Sequence, residues 1–516
     1  MHATLMLRHA VTTNAGGAAT IFGERQRSWA EVGVRVPRMA GALAALGLKN
    51  GDVVSVLSMN NDRFIELFFA APWAGGVIAP LNVRWSVEEN AQAIADCGAA
   101  VLVVDDEFVG QARELRSRGI APETIIYIGE GDAPDGMLDY ETLIASHEPV
   151  EDAGRKGDDV FAIFFTGGTT GRPKGVMLSH EGFGQAIMVW IAMQREIEGI
   201  RFAYVGGLFH LVGAVPAMFV TLTGGTHIIL PKFEPVAFMR AITRHKATVI
   251  IMVPTMVQTM LTHPEFPGND LSSLKLCFYG GSPMPEAVVR KAAELLPNLE
   301  FIQSYAMTET GSLTSMLRWS DHDFHGPNAH RVKSVGQPVF GVEVRIVDPA
   351  GNDLPRGETG EILMRSRYLM TGYVNMPDQT AEALRGGWMH SGDAGRLDED
   401  GYLYVSDRIK DMIVTGGENV FSIEVERAIY LHPAVKEAAV IGLPSEKWGE
   451  TVHAIVVLRD GMSATQDEII AHCRALIGAY KCPKSVEFRS EPLPLSPAGK
   501  VQKNVLRQPY LTKAEA

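Results

Sequence analysis

FAIFFTGGTTGRPKGV, residues 161–176, is the stretch that decides how this chain is read. An apolar run of strand length, Phe161 to Phe165, passes straight into a segment holding three threonines, three glycines, Arg172 and Lys174. Glycines let a backbone curl with its N–H groups pointing inward, threonine hydroxyls add donors, and Lys174 adds a positive charge. Such a loop suits a polyphosphate. It departs from the Walker A pattern, because Pro173 precedes the lysine and Gly175, rather than Ser or Thr, follows it. A kinase-like phosphate loop is therefore disfavoured.

The same rhythm of apolar run, turn and helix-like periodicity extends on both sides. Upstream, VPRMAGALAALG alternates with DVVSVLSMN, GGVIAPLN and AAVLVVDD; downstream come THIILP, ATVIIMVP and LKLCFYGGSP. Apolar runs of strand length broken by Gly or Pro and separated by helical patterns predict βα units around mostly parallel sheets, here in two α/β halves. After about Gly336 the strands shorten (VEVRIVDPAGNDLP, GEILMRS, GYLYVSD) and predict a compact β-rich portion. Beyond a charged stretch at 407–411 follows a small unit with its own core, in which Thr465 and Glu468 form a capping-box pattern before Ile469, Ile470, Cys473, Leu476 and Ile477. The boundary is placed at about Lys410, giving domains 1–408 and 409–516.

With 516 residues, 46% of them hydrophobic, the chain exceeds what one core serves, so more than one domain is expected. Sixty acidic against 47 basic residues give a formal charge of −13, which argues against nucleic acid or an anionic membrane as partner. The four cysteines show no CxxC spacing, so a disulfide framework or zinc site is not expected and a reducing cytoplasm fits. No run of about 18 apolar residues occurs, so no stable membrane insertion is expected. A homodimer is compatible with the sequence.

TGGTTGRPKGV, 166–176, resembles the TSGTTGxPKGV signature of the adenylate-forming superfamily, which contains acyl-CoA synthetases, luciferases and peptide-synthetase adenylation domains. Gly167 stands where that family usually has Ser, so one hydroxyl donor is lost. The resemblance implies that Thr166, Gly168, Thr169, Thr170, Gly171 and Lys174 bind ATP. QSYAMTETG, 303–311, resembles the family's QxYGxTE block, with Ala306 in place of the usual Gly. By itself, TET before Gly is an ordinary helix start with a Thr cap. Its place about 130 residues after the phosphate loop favours the other reading, in which Tyr305 stacks on adenine, Ala306 and Met307 border the nucleotide, Thr308 meets the α-phosphate and Glu309 holds Mg2+. A hard carboxylate suits that cation, whose other ligands are usually waters and phosphates.

FYGGSPMPE, 278–286, matches the segment that the family sets beside adenine and the acyl chain, which makes Gly280, Gly281, Ser282 and Pro283 candidates. For Ser282 a strand-to-helix turn is an equally natural reading, while Gly280 and Gly281 are easier to explain as close backbone approach to a ligand. MHSGDAGRLDEDGYLYVSDRIKDMIVTGGENV, 389–420, resembles three consecutive family motifs. These imply ribose contacts from Asp393 and Arg408, a hinge at Lys410, and a pantetheine tunnel lined by Gly416, Gly417 and Glu418. Without the resemblance, DRIKD is a solvated linker. LPLSPAGKVQK, 493–503, resembles the C-terminal motif whose lysine serves adenylation, which assigns that role to Lys500. LFHLVGAVPAMF, 208–219, matches the aromatic-plus-His motif, so His210 is placed at the acid pocket, although a His among apolar residues is otherwise a satisfied core histidine. Amino-acid-activating domains carry Asp where this chain has His210, which disfavours an amino-acid substrate.

The resemblance implies a large N-terminal domain of two α/β subdomains plus a distorted β-barrel portion, and a small mobile α+β C-terminal domain. It implies an AMP-forming acid:CoA ligase acting on an apolar fatty, aryl or alicyclic acid with ATP, Mg2+ and coenzyme A, and catalytic roles for Lys174, Thr308, Glu309 and Lys500. Two alternatives stay open: an adenylating enzyme that loads another acceptor, such as a carrier protein, and a non-catalytic nucleotide-binding relative.

Overall fold

VVSVL at Val53–Leu57 and VIAP at Val77–Pro80 are buried at every position. Strands apolar on both faces must be covered on both faces, which a mostly parallel sheet between helices provides. The computed structural model describes residues 2–166, 173–193, 199–281, 284, 286–415, 418–445, 448–495 and 501–514. It divides into two units, Met1–Glu343 with Met364–Met389, and Val344–Leu363 with His390–Ala516.

The first unit carries both α/β halves. Among the described residues one sheet has eight strands, in the order Gly372–Tyr373, Lys174–Ser179, Val160–Thr166, Val77–Pro80, Val53–Leu57, Ala99–Val104, Thr124–Tyr127 and Leu138–Asp139. Its interior pairs are parallel, while Lys174–Ser179 runs antiparallel to both its neighbours, Val160–Thr166 and Gly372–Tyr373. The other sheet has nine strands, with a parallel run from Glu300–Tyr305 through Leu276–Gly280, Val249–Met252, Arg201–Tyr204 and Thr226–Ile229 to Ala18–Phe22.

Helix Asp62–Trp73 is buried along its whole length although it bears Asp62, Arg63 and Glu66. A charge tolerates such burial only when paired and hydrogen-bonded. Arg25 reaches Asp62 at 2.8 Å, Arg35 reaches Glu66 at 2.7 Å, the Tyr140 hydroxyl donates to Glu66 at 3.0 Å, and Arg63 reaches Glu141 at 2.8 Å. Burial would push the Glu141 carboxyl up, but Arg35 and Arg63 hold it down at about 2. Ahead of this helix, Asn60 ties the two sheets together. Its Nδ2 donates to the carbonyls of Gly206 (3.0 Å) and Leu230 (3.2 Å), and its Oδ1 accepts from Leu208 N at 2.7 Å.

In the second unit, the β-rich portion is a four-stranded sheet of Glu343–Val347, Gly360–Arg365, Met389–Leu397 and Leu403–Arg408. A second sheet pairs Val435–Ser445 with Gly449–Leu458 and adds Ile413–Thr415, Glu418–Val420 and Ser485–Arg489. Helices Ser422–Tyr430 and Gln466–Leu476 cover it over a core that includes Ile413, Val425, Val440, Val452, Ile469 and Cys473. Residues 344–363 and 390–408 thus share one unit with everything beyond residue 408. The expected capping box is present: Thr465 Oγ1 accepts from Glu468 N, and the Glu468 carboxylate accepts from Thr465 N. Ile469 and Cys473 of the expected apolar face are buried, whereas Leu476, in the last turn, stands exposed beyond the core. No helix among the described residues is long and apolar enough to cross a membrane.

Replacing Thr465 with Ala leaves the first-turn N–H groups without that acceptor and should cost about 1 kcal/mol of local stability. Hydrogen exchange of the amides in Gln466–Leu476 should accelerate accordingly; unchanged protection would count against the cap.

Candidate active site

The glycine- and threonine-rich stretch lies between two antiparallel strands. Thr166 lies opposite Lys174 in the register that joins Val160–Thr166 to Lys174–Ser179, so Lys174 opens a strand. In a Walker A loop the lysine leads into a helix; here the helix, His180–Ala192, begins only after the second strand, capped by Ser179. Gly175 is required by packing, since a Cβ there would come within 2.9 Å of Ile163 and 3.1 Å of the Phe165 ring. Val176 pairs with Tyr373 on the other side. Side chains alternate along a strand, so Lys174 and Val176 share a face, and the residue opposite Val176 is the diagonal neighbour of Lys174. The Lys174 ammonium accordingly lies 4.9 Å from the centre of the Tyr373 ring.

The same tyrosine reaches the second block. Its hydroxyl donates to Glu309 Oε1 at 2.9 Å, and Met370 N donates to the Glu309 carbonyl at 2.9 Å. Thr308–Thr310 is a single 3-10 turn, not the start of an α-helix. Thr310 is buried and closes the turn on Met307, accepting from its N–H and donating to its carbonyl, each at 3.0 Å. Gly311 ends it at φ 64°, where a Cβ would come within 2.1 Å of the Tyr368 carbonyl oxygen. Ser312 follows at φ 114°, a backbone region that L-residues rarely adopt, and its hydroxyl accepts from the Trp190 indole at 3.1 Å. Glu309 and Lys174 are both half-buried, within reach of a ligand. Tyr305, at the end of strand Glu300–Tyr305, Ala306 and Met307 lead into this turn and are likewise half-buried.

Gly280 ends strand Leu276–Gly280 opposite Ser304, and a Cβ there would sit 2.4 Å from the Ser304 carbonyl oxygen. The close approach is thus made by the neighbouring strand. Gly281, at φ 78°, turns the chain away towards helix Glu286–Leu295. His210 occupies the N-cap position of helix Leu211–Leu222, half-buried, with its ring 4.4 Å from that of Phe209. A second histidine of this region, His227, is fully buried between the Tyr204 hydroxyl (2.8 Å) and the Thr221 hydroxyl (3.1 Å). Asn60 places His210, because it holds Gly206 and Leu208 just before it.

In the second unit, Asp393 and Arg408 are cross-strand partners, with Arg408 Nε 2.8 Å from Asp393 Oδ1. Ser391 sets the turn before them, its hydroxyl accepting from Asp393 N (2.9 Å) and donating to the Ile362 carbonyl (2.6 Å). Lys410 is exposed in the 3-10 turn Ile409–Asp411. On either side of it the chain is anchored: buried Asp407 accepts from the backbone N–H and, at 2.5 Å, the hydroxyl of Ser422. Lys503 donates to the same Ser422 hydroxyl and pairs with Glu426 at 2.8 Å. Burial alone would push the Lys503 ammonium down, but Glu426 and Asp407 hold it above its ordinary value. Glu418 is exposed and pairs with Thr415.

Gly167, Gly168, Thr169, Thr170, Gly171, Ser282, Pro283, Gly416, Gly417 and Lys500 lie outside the described residues. All four cysteines are free and buried, and burial pushes the Cys97 and Cys473 thiols up to about 11, so neither is a thiolate nucleophile at neutral pH. Among the described residues no cluster of three or more His, Cys, Asp or Glu could hold a metal. A single half-buried carboxylate such as Glu309 is a hard oxygen ligand of the kind that Mg2+ takes alongside waters and phosphates. Sequence reasoning missed Tyr373, Asn60, Ser391 and Asp407. The last two lie inside quoted motifs, beside Asp393 and Arg408; Tyr373, in TGY, and Asn60 carry no chemical signal until folding gives them partners.

An AMP-binding enzyme family model matches residues 7–374, and a model of the AMP-binding enzyme C-terminal domain matches residues 424–500. A feruloyl-CoA synthase of Amycolatopsis sp is 37% identical over 98% of this chain and 97% of its own length. A long-chain-fatty-acid–CoA ligase of Mycobacterium tuberculosis is 34% identical over 94% of this chain and 93% of its own. Among solved structures, ATP-bound MatB from Rhodopseudomonas palustris superposes with a TM-score of 0.88 at 30% identity, covering 99% of each chain. The chain therefore belongs to the AMP-binding enzyme family, in the acyl-CoA synthetase branch of the adenylate-forming superfamily, and is an AMP-forming acyl-CoA synthetase.

Proposed function

We propose that the acid this ligase activates is apolar, a medium- or long-chain fatty acid or an aryl- or alicyclic-substituted one. The observation that carries the reading is His210 at the head of helix Leu211–Leu222, LVGAVPAMFVTL, with no carboxylate following Phe209 to receive an ammonium. Pockets of that kind select by shape, at about 1 to 3 kcal/mol per methylene-sized group. The names of two relatives, one for feruloyl-CoA and one for long-chain fatty acids, lie within the same range.

In the proposed first step a carboxylate oxygen attacks the α-phosphorus of ATP, an acyl-adenylate forms and pyrophosphate leaves. The obstacle is charge, since an anion must approach an anion. Lys174 is assigned to the polyphosphate, Thr308 to the α-phosphate, Tyr305 to adenine, Asp393 and Arg408 to the ribose, and Lys500 to the carboxylate and α-phosphate. Glu309 would hold Mg2+, which, when bound, offsets the negative charge of the phosphates. In the second step the coenzyme A thiol attacks the acyl carbon and AMP leaves. That step needs none of the polyphosphate groups, and Gly416, Gly417 and Glu418 are assigned to the pantetheine arm. Because Lys500 and this loop lie C-terminal to Lys410 and serve different steps, we assign 409–516 to a mobile domain that rotates about Lys410 between them.

A screen for acyl-CoA over short, medium and long-chain, cinnamate-type and arylalkanoic acids tests the substrate class. Turnover confined to short or amino acids would refute it, and adenylation without acyl-CoA formation from free CoA would favour a carrier-protein acceptor. Lys500→Ala should slow acid-dependent pyrophosphate release by a factor of hundreds, about 3 to 4 kcal/mol, as the loss of one aimed donor does. Lys410→Pro should impair thioester formation from preformed acyl-adenylate more than adenylation; equal loss in the two half-reactions would argue against the hinge.

A further inference from the structure

We propose that Tyr373 is a positioning residue for adenylation, which orients the Glu309 carboxylate towards the metal of the nucleotide and seats the Lys174 ammonium beside it. The inference rests on the reading of Glu309 as the metal carboxylate and Lys174 as the phosphate cation. It adds a residue that neither motif contains.

Three observations carry it. The first is the shared contact: the Tyr373 hydroxyl lies 2.9 Å from Glu309 Oε1, and its ring lies 4.9 Å below the Lys174 ammonium. A phenol that donates to one carboxylate oxygen fixes the rotation of the group, as outer partners of metal ligands generally do. An aromatic face attracts an ammonium without neutralising it. One side chain therefore contacts both charged groups, the ammonium through its ring face and the carboxylate through its hydroxyl.

The second observation is that the tyrosine itself has little freedom. Gly372–Tyr373 pairs with Val176–Met177, and the flanking bonds Thr371 N to Met177 O (2.9 Å) and Val374 N to Gly175 O (2.8 Å) extend that pairing. Tyr373 N donates to the Thr380 hydroxyl at 2.9 Å, and the side chain is only 7% exposed. The third is that the same segment seats the glutamate's backbone, through Met370 N on the Glu309 carbonyl and the Tyr368 carbonyl against Gly311. One short stretch, 368–374, therefore fixes both the lysine that opens its strand and the glutamate in its turn.

The test measures binding rather than turnover. Mn2+ is titrated by electron paramagnetic resonance into the full-length enzyme with α,β-methylene-ATP, and metal-free affinity for the analogue is measured separately. Tyr373→Phe keeps the ring under Lys174 and removes the hydroxyl. It should weaken Mn2+ binding roughly tenfold and leave the metal-free affinity unchanged. Glu309→Gln in the same assay separates the two ideas. If it binds Mn2+ like the wild type, the reading of Glu309 fails and the inference with it. If it loses Mn2+ while Tyr373→Phe does not, Glu309 stands and the role of Tyr373 is overturned. Equal loss of metal-bound and metal-free affinity in Tyr373→Phe also overturns it, because a distorted site moves both. Should Tyr373→Phe not fold, Tyr373→His, whose ring keeps the lysine contact and whose N–H stops short of Glu309, is held to the same expectation.

Discussion

One register sets the cluster of Lys174, Tyr373 and Glu309 in the first unit: Thr166 opposite Lys174, and Val176 opposite Tyr373. A slip of one residue in either pairing would turn the side chain involved to the other face of the sheet. Lys174 would then lose its ring and Glu309 its phenol. The register is well specified because the hairpin is buried on both faces, with Phe161, Phe164, Phe165, Val176 and Leu178 nearly inaccessible, and because Gly175 admits no side chain.

The chemistry demands the opposite of burial. Around Asp62 and Glu66, arginines and a tyrosine satisfy the carboxylates of a buried helix. Lys174 and Glu309 are held differently, half-buried, the first over the Tyr373 ring and the second on its hydroxyl. A ring and a hydroxyl orient them, whereas the carboxylates of the buried helix are closed off by arginines. In a chain of formal charge −13, such local cations matter more than the overall field.

The second unit carries a parallel arrangement. Asp393 and Arg408 face each other across a strand pair, and Asp407, on the adjacent position, points the other way to receive the start of helix Ser422–Tyr430. Lys503 completes this cluster from the C-terminal helix. It lies three positions after Lys500, so the segment assigned to adenylation is followed immediately by an anchored charge.

Much of this was legible in the residues alone. Apolar runs of strand length gave the two sheets, Thr465 and Glu468 gave the cap, and the blocks at 166–176, 303–311, 389–420 and 493–503 gave the family, because local patterning and short motifs are written in neighbouring residues. Other things were not legible. TET before Gly, which by itself reads as a helix start, is a single closed turn, and the close approach of Ser304 to Gly280 exists only once their two strands pair. Tyr373 lies far from Lys174 and Glu309 in the chain, and Asn60 far from His210. Sequence alone therefore determined which elements form and which chemistry they carry. Tertiary structure decided which side chains orient that chemistry, because a hydrogen bond or ring contact between residues distant in the chain exists only once strand register has brought them together.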